Sequence, residues 1–305
     1  MSIKIRRSVT ATRNWKVFQS KRYELHYNKG PILCLLVAHL TRVFSGDVDG
    51  LIHVWDAQSN QYVTSLNAHK KHVSCLTRHN HLLASGSSDT TIAIHHIITF
   101  EQSNVLEGHE GPITCLVFAP STTSDSEGLL ISGSTDRTIR IWNIVDNTCL
   151  RILHGQENTI ISLAFCASIP LEYCQSEADT WSVKNNKAGY IISGSSDRNI
   201  FVWDLKSSIL EDTPQVINSI MGTNGPVTAM AVYDEARATA PSSQSIPHLT
   251  AKTLMKIPPF VIYAGMQDAT IALYSALEYN HHIWRQNGHD LGFEITKKLY
   301  YTRRL

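Results

Sequence analysis

The chain lacks most of the features that announce chemistry or a membrane. Its 305 residues carry 27 basic and 26 acidic side chains, a formal net charge of +1, so no global field draws it to nucleic acid or to an acidic surface. The longest apolar run, Ile32 to Ala38, falls far short of the roughly 20 residues a spanning helix needs, so no membrane insertion is expected. No secretory leader pattern and no Asn-x-Ser/Thr acceptor occur. Of six cysteines, none forms a C-x-x-C pair, and Cys149, Cys166 and Cys174 show no metal-ligand spacing. A Walker loop, H-E-x-x-H and G-x-S-x-G are all missing. The 15 histidines scatter through turns and strand ends, and His95–His96 and His281–His282 have no ligand-type neighbours at useful spacing. These absences predict no metal, no cofactor and no nucleic-acid partner. They also predict a reduced intracellular protein, cytoplasmic or nuclear.

What the chain has is repetition. Asp49, Asp89, Asp136, Asp197 and Asp268 each have Gly three residues earlier (Gly46, Gly86, Gly133, Gly194, Gly265) and Ile three residues later (Ile52, Ile92, Ile139, Ile200, Ile271). Ser45, Ser85, Ser132 and Ser193 stand four residues before the first four, and Ala264 breaks the set. Six residues after come Trp55, His95, Trp142, Trp203 and Tyr274. Upstream, GHEGPITCLVF (108–118) matches YNKGPILCLLV (27–37), AHKKHVSCL (68–76), GQENTIISLAF (155–165) and GTNGPVTAMAV (222–232). A fixed pattern at a period near forty residues predicts an array of β units. Within each, strand a follows the Gly-His slot, strand b ends at Ser-Gly, strand c ends at the Trp slot, and strand d leads onward. The b–c turn is rich in Gly and Asp because a tight reversal needs residues tolerant of positive φ. Cys34, Cys75 and Cys115 share one strand-a position with Ser162 and Ala229, which predicts a crowded site that admits only small side chains. The isoleucine present in all five units predicts a strand-c face buried between neighbouring units.

Units running from a Gly-His pair to a Trp-Asp pair resemble the WD40-repeat family over roughly residues 22–290. That resemblance implies an all-β, WD40-type β-propeller, a single domain across residues 1–305. Six blades are expected, the sixth shared between the termini: strand a from Phe293–Tyr300, the others from Ile3–Ile5 and Thr10–Val17. Trp15 stands 13 residues before Asn28, much as Trp55 stands 14 before His69. HHIWRQNGHD (281–290) should supply strand d of the fifth unit. A seven-bladed ring cut short at residue 305 is the rival. Residues 1–23, basic and free of acids, also fit a targeting segment or a flexible arm. The a–b loops lengthen along the chain, and the insertions at 166–188 and 233–259 are expected to be mobile.

His109, Ser132 and Asp136 have the composition of a hydrolase triad. His69, Ser85 and Asp89 repeat it, and Ser193 with Asp197 repeat most of it, whereas an active site is single. The resemblance implies instead a hydrogen-bonded network closed by the strand-c tryptophan, Trp142 or Trp203, with Ser45, Asp49 and Trp55 as the first unit's members. No enzyme is expected. The resemblance further implies binding of proteins or peptides on the face bearing the d–a and b–c loops. Lys29, Lys70, His72, Glu110, Glu157 and Asn224 fall in the d–a loops there, and Arg137 and Arg198 in the b–c turns. Lys70, Arg137 and Arg198 would anchor an acidic or phosphorylated segment. The expected function is a scaffold within a multiprotein complex. The alternative is a substrate receptor of a cullin-type ubiquitin ligase, because Trp203-Asp204-Leu205-Lys206 approaches a Trp-Asp-x-Arg ending, with Lys where the planar fork of Arg belongs.

Overall fold

A computed structural model describes residues 3–7, 21–25, 30–38, 41–119, 128–166, 189–210, 216–223, 225–234, 260–268, 270–276 and 293–300. Residues 120–127, most of the insertions at 166–188 and 233–259, Thr10–Val17, Lys29, Asn224 and residues 281–290 lie outside these. The chain forms two compact units, Met1–Glu107 and Gly108–Leu305.

In the first unit, β1 (Ile3–Arg7) pairs antiparallel with β2 (Lys21–Leu25), setting Ile3 opposite Leu25 and Ile5 opposite Tyr23. Sheet one is β3 (Ile32–Ala38), β4 (Arg42–Asp47), β5 (Leu51–Asp56) and β6 (Gln61–Asn67), hydrogen-bonded in that order. Sheet two is β7 (Val73–His79), β8 (Leu82–Ser87), β9 (Ile92–His96) and β10 (Gln102–Leu106).

The second unit holds three more antiparallel sheets of four strands. Sheet three is β11 (Ile113–Ala119), β12 (Leu129–Ser134), β13 (Ile139–Asn143) and β14 (Thr148–Leu153). Sheet four is β15 (Ile160–Cys166), β16 (Tyr190–Ser195), β17 (Ile200–Asp204) and β18 (Val216–Ile220), with the short helix α1 (Leu205–Leu210) after its third strand. Sheet five is β19 (Val227–Asp234), β20 (Phe260–Met266), β21 (Thr270–Ala276) and β22 (Phe293–Tyr300).

The last strand departs from the expectation. Phe293–Tyr300 does not join the N-terminal strands; it pairs with β21 as strand d of sheet five, the place expected for residues 281–290. The half-polar run FEITKKLY fits that place, because strand d is a sheet edge where lysines are tolerated and discourage stray pairing. Among the described residues β1 and β2 form a two-stranded sheet of their own.

Within each unit, successive sheets pack face to face. The first core joins Leu36, Phe44, Ile52 and Val54 of sheet one to Leu76 and Leu83 of sheet two. In the second unit, Ile131, Ile139 and Ile141 of sheet three meet Phe165, Ile191, Phe201 and Trp203 of sheet four. Ile192, Ile200 and Val202 of sheet four meet Val227, Ile262 and Met266 of sheet five. Each such side chain, fully buried, contributes about 1.5–3 kcal/mol.

The recurring glycine of strand b marks where the next sheet presses in. A Cβ on Gly133 would lie 2.6 Å from Ile160 Cγ2 and 2.7 Å from Cys115 Sγ; on Gly194, 2.6 Å from Val227 Cγ1 and 2.7 Å from Ser162 Oγ; on Gly46, 2.7 Å from Val73 Cβ. The same crowding explains why only Cys, Ser or Ala occupies the facing strand-a site. Burial there pushes the Cys34 and Cys115 thiols up to about 12, so neither is a nucleophile at neutral pH.

Candidate functional site

Sheet three carries the network complete. Trp142 Nε1 donates to Ser132 Oγ at 2.8 Å, Ser132 Oγ lies 2.7 Å from His109 Nε2, and His109 Nδ1 lies 2.6 Å from Asp136 Oδ2. A carboxylate only accepts, so Nδ1 carries the hydrogen of that last bond; in the neutral ring Nε2 then accepts the serine hydroxyl. Asp136 also accepts the Glu110 N–H at 3.0 Å, the Thr138 N–H at 2.9 Å and the Thr138 hydroxyl at 2.6 Å. Burial would raise the Asp136 carboxyl, but the bonds from His109 and Thr138 outweigh it and hold the group well below the usual carboxylate range.

Each other sheet modifies this pattern. In sheet two His69 Nε2 lies 2.8 Å from Ser85 Oγ and His69 Nδ1 lies 3.2 Å from Asp89 Oδ2, but His95 fills the tryptophan slot. Ser85 donates to the Ala93 carbonyl at 3.3 Å, and the buried His95 Nδ1 has no hydrogen-bond partner among the described residues. In sheet four Trp203 still donates to Ser193 at 3.0 Å, while Gln156 Nε2 reaches only the carbonyls of Ser193 and Asn199, both at 3.4 Å. Asp197 accepts the Glu157 and Asn199 N–H groups, each at 2.9 Å. In sheet five the Thr223 hydroxyl donates to the carbonyls of Arg198 and Gly225, and Ala264 offers no oxygen at the serine position.

Sheet one adds two members. Trp55 donates to Ser45 at 3.0 Å; Asp49 is exposed, and the buried acid of this turn is Asp47. Asp47 Oδ1 accepts the Asp49 and Leu51 N–H groups, both at 2.9 Å, and its Oδ2 lies 3.0 Å from His53 Nε2. Sequence reasoning missed both residues, because Asp47 sits where the other units have Ser87, Ser134 and Ser195, and His53 where they have Ala93, Arg140 and Phe201. The signal was available: the only acid at that turn position accompanies the only strand-c histidine two residues before its tryptophan.

The network positions the predicted rim. The turn aspartate accepts the backbone N–H of the residue after the histidine slot in sheets two, three and four: Lys70 at 2.9 Å, Glu110 at 3.0 Å, Glu157 at 2.9 Å. Five further backbone bonds pin each b–c turn to the start of strand a: Val48 to Pro31, Ser88 to His72, Thr135 to Pro112, Ser196 to Thr159 and Gln267 to Pro226. Lys70, Glu110, Arg137, Glu157 and Arg198 are all exposed, whereas the His72 ring is engaged by the Ser88 hydroxyl. Arg137 and Arg198 occupy the same turn position with φ near 70° in both, which glycine takes in sheet one as Gly50 at 85°. A left-handed non-glycine residue costs about 1–2 kcal/mol, so the arginines are held there by the surrounding bonds.

As a nucleophile Ser132 fails: it is 0% exposed and its oxygen already accepts the tryptophan N–H. Among the described residues no group of three His, Cys, Asp or Glu side chains could hold a metal ion, and no helix is long and apolar enough to cross a membrane. Asp204 of the Trp-Asp-Leu-Lys run caps α1, its Oδ1 accepting the N–H groups of Lys206 at 2.7 Å and Ser207 at 3.2 Å.

Comparison with known proteins agrees with this geometry. Residues 60–96, 100–143 and 147–204 match the family described as WD domain, G-beta repeat. Over 78 residues the chain is 32% identical to the anaphase-promoting complex subunit cdh1 of Dictyostelium discoideum, a match spanning 25% of this chain and 10% of that protein. In fold it is similar to a chain of the mitotic checkpoint complex crystal structure, with TM-score 0.65 at 17% identity over 99% of this chain and 74% of the other. It is also similar to the computationally designed Ika8 protein, with TM-score 0.54 at 24% identity over 82% of this chain and 60% of that one. The His-Ser-Asp-Trp network of sheet three and its variants in the other four-stranded sheets, together with these matches, place WD40 repeats across residues 60–204 and give the chain the fold of WD40 propellers.

Proposed function

We propose that the chain is a non-catalytic platform that assembles protein partners on the rim formed by its d–a loops and b–c turns. One observation carries this reading: the turn aspartates Asp89, Asp136 and Asp197 face inward onto backbone N–H groups, while Arg137 and Arg198 are left exposed, with no ion pair among the described residues. Rigid backbone with unpaired planar cations suits an acidic or phosphorylated segment, since the guanidinium fork binds carboxylate and phosphate bidentately. The similar proteins named for multiprotein assemblies support membership of a complex. Receptor duty in a cullin-type ligase finds less support, because Asp204 is committed to capping α1 and Lys206 stands where arginine is wanted.

Affinity purification with partner identification tests the proposal. The double variant Arg137→Glu, Arg198→Glu should lose the captured proteins while melting at the wild-type temperature. Full retention of every partner by that variant overturns the assignment of the rim.

A further inference from the structure

The turn that leaves strand c is closed in one way in four of the sheets, and sheet two does it with a different atom. Asp56 Oδ1 accepts the N–H groups of Gln58 at 2.8 Å and Ser59 at 2.9 Å, and Asn143 Oδ1 accepts those of Val145 at 2.9 Å and Asp146 at 3.5 Å. Asp204 does the same for Lys206 and Ser207. In sheet two this place belongs to His96, whose Nδ1 accepts the N–H groups of Ile98 and Thr99, both at 3.3 Å. A ring nitrogen accepts only while it is bare. Neutral His96 therefore carries its hydrogen on Nε2, the opposite tautomer to His109.

The same turn is also strained. Asn60 and Asn147, four residues after Asp56 and Asn143, have φ of 58° and 56°, a left-handed conformation that asparagine tolerates. Sheet two puts Phe100 there at 64°, a costly geometry for a bulky side chain. Backbone bonds from Phe100 N–H to the His96 carbonyl at 2.8 Å and from His96 N–H to the Glu101 carbonyl at 2.9 Å close the turn around it. Ile97, 5% exposed, and Phe100 both pack into the core between sheets one and two, so this turn covers the end of that core.

The charge around His96 offers a proton no reward. The His81 ring stacks on it, centroids 5.8 Å apart and planes at 24°. The other titratable or charged groups at this end of the unit are Arg78 and His79 of β7, His95 one residue back, Glu101 beyond the turn, and the Arg42–Asp56 pair of sheet one. Among the described residues no carboxylate lies within ion-pair distance of the His96 ring.

We infer that residues 97–101 form an acid-released latch over the core between sheets one and two: a proton on His96 Nδ1 sets a hydrogen against the amide hydrogens of Ile98 and Thr99, and the strained turn opens. Charging His81 as well places two like charges in one stack, which pushes the same way. Aspartate in this place behaves otherwise. The bonds from Ser59 and then Gln58 hold the Asp56 carboxyl below its ordinary value, so it goes on accepting across the range in which histidine titrates.

Ring-nitrogen NMR and amide exchange of the intact chain read the outcome. At neutral pH His96 should carry its hydrogen on Nε2, a reading made on the wild type alone. Between about pH 7.5 and pH 5.5, inside the range where histidine changes charge, exchange of the Ile98 and Thr99 amides, corrected for its intrinsic pH dependence, should quicken about tenfold for two lost bonds. His96→Asp, the residue that sheets one and four have here, should keep both amides protected throughout. His95 is intact in that variant, so any acid effect that His95 exerts persists there and is told apart. Phe100→Asn should blunt the response by removing the strain. A hydrogen on Nδ1 at neutral pH, protection that acid leaves unchanged, or a response that His96→Asp retains in full each overturns the inference.

Discussion

His95 shows how one residue sets a pH dependence. Burial, and then the charge of nearby His69, depress its ring from the ordinary 6.5 to about 4. The folded form therefore holds fewer protons than the unfolded one between those values, so stability is fully present above 6.5 and is lost as pH falls toward 4. At about 1.4 kcal/mol for each tenfold, the loss approaches about 3 kcal/mol by the acid end of that window. His95→Trp restores the residue that donates to serine in sheets one, three and four, and melting curves from pH 7 to pH 4, roughly the range of that titration, should show a shallower acid decline than wild type. Ser132→Ala is the complementary test. It strands Trp142 Nε1 and His109 Nε2 in the interior, and urea unfolding should register about 1–3 kcal/mol of destabilisation. The serine, histidine and tryptophan of this network were legible as repeated letters. Asp47 and His53 were not, because a single unit had moved the same chemistry to two other positions.

For the sheet as an element, the strand-b glycine and the turn acid decide the packing. Gly133→Ala places a methyl group against Ile160 and Cys115, and should cost about 1–3 kcal/mol by overpacking. Asp47→Ala should cost about 1–3 kcal/mol by stranding the N–H groups of Asp49 and Leu51 and the His53 ring, while Asp49→Ala should stay within about 0.5 kcal/mol. Chemical denaturation of the two aspartate variants side by side checks which acid holds this turn. Strands a, b and c of all five sheets could be read ahead, since alternation and turn chemistry agree there. Strand d was harder. As an edge it needs little apolar pattern, so FEITKKLY looked like a poor strand a when it is an ordinary strand d.

For the molecule as a whole, repetition made the fold legible and the partner illegible. A core face must satisfy the same neighbour in every unit, so its residues recur; exposed rim side chains answer to no such repeated neighbour and leave no such trace. The Cys, Ser or Ala alternation on strand a made sense as sequence and found its cause in the crowding at the strand-b glycines.

The inward turn of the aspartates has a consequence for how such a surface changes over time. Lys70, Glu110 and Glu157 are fastened by their amide hydrogens, a feature every amino acid but proline shares. Replacing any of them by alanine should shift the unfolding free energy by no more than about 0.5 kcal/mol. Mutation can thus redraft the message displayed on this face while the frame that displays it stays intact.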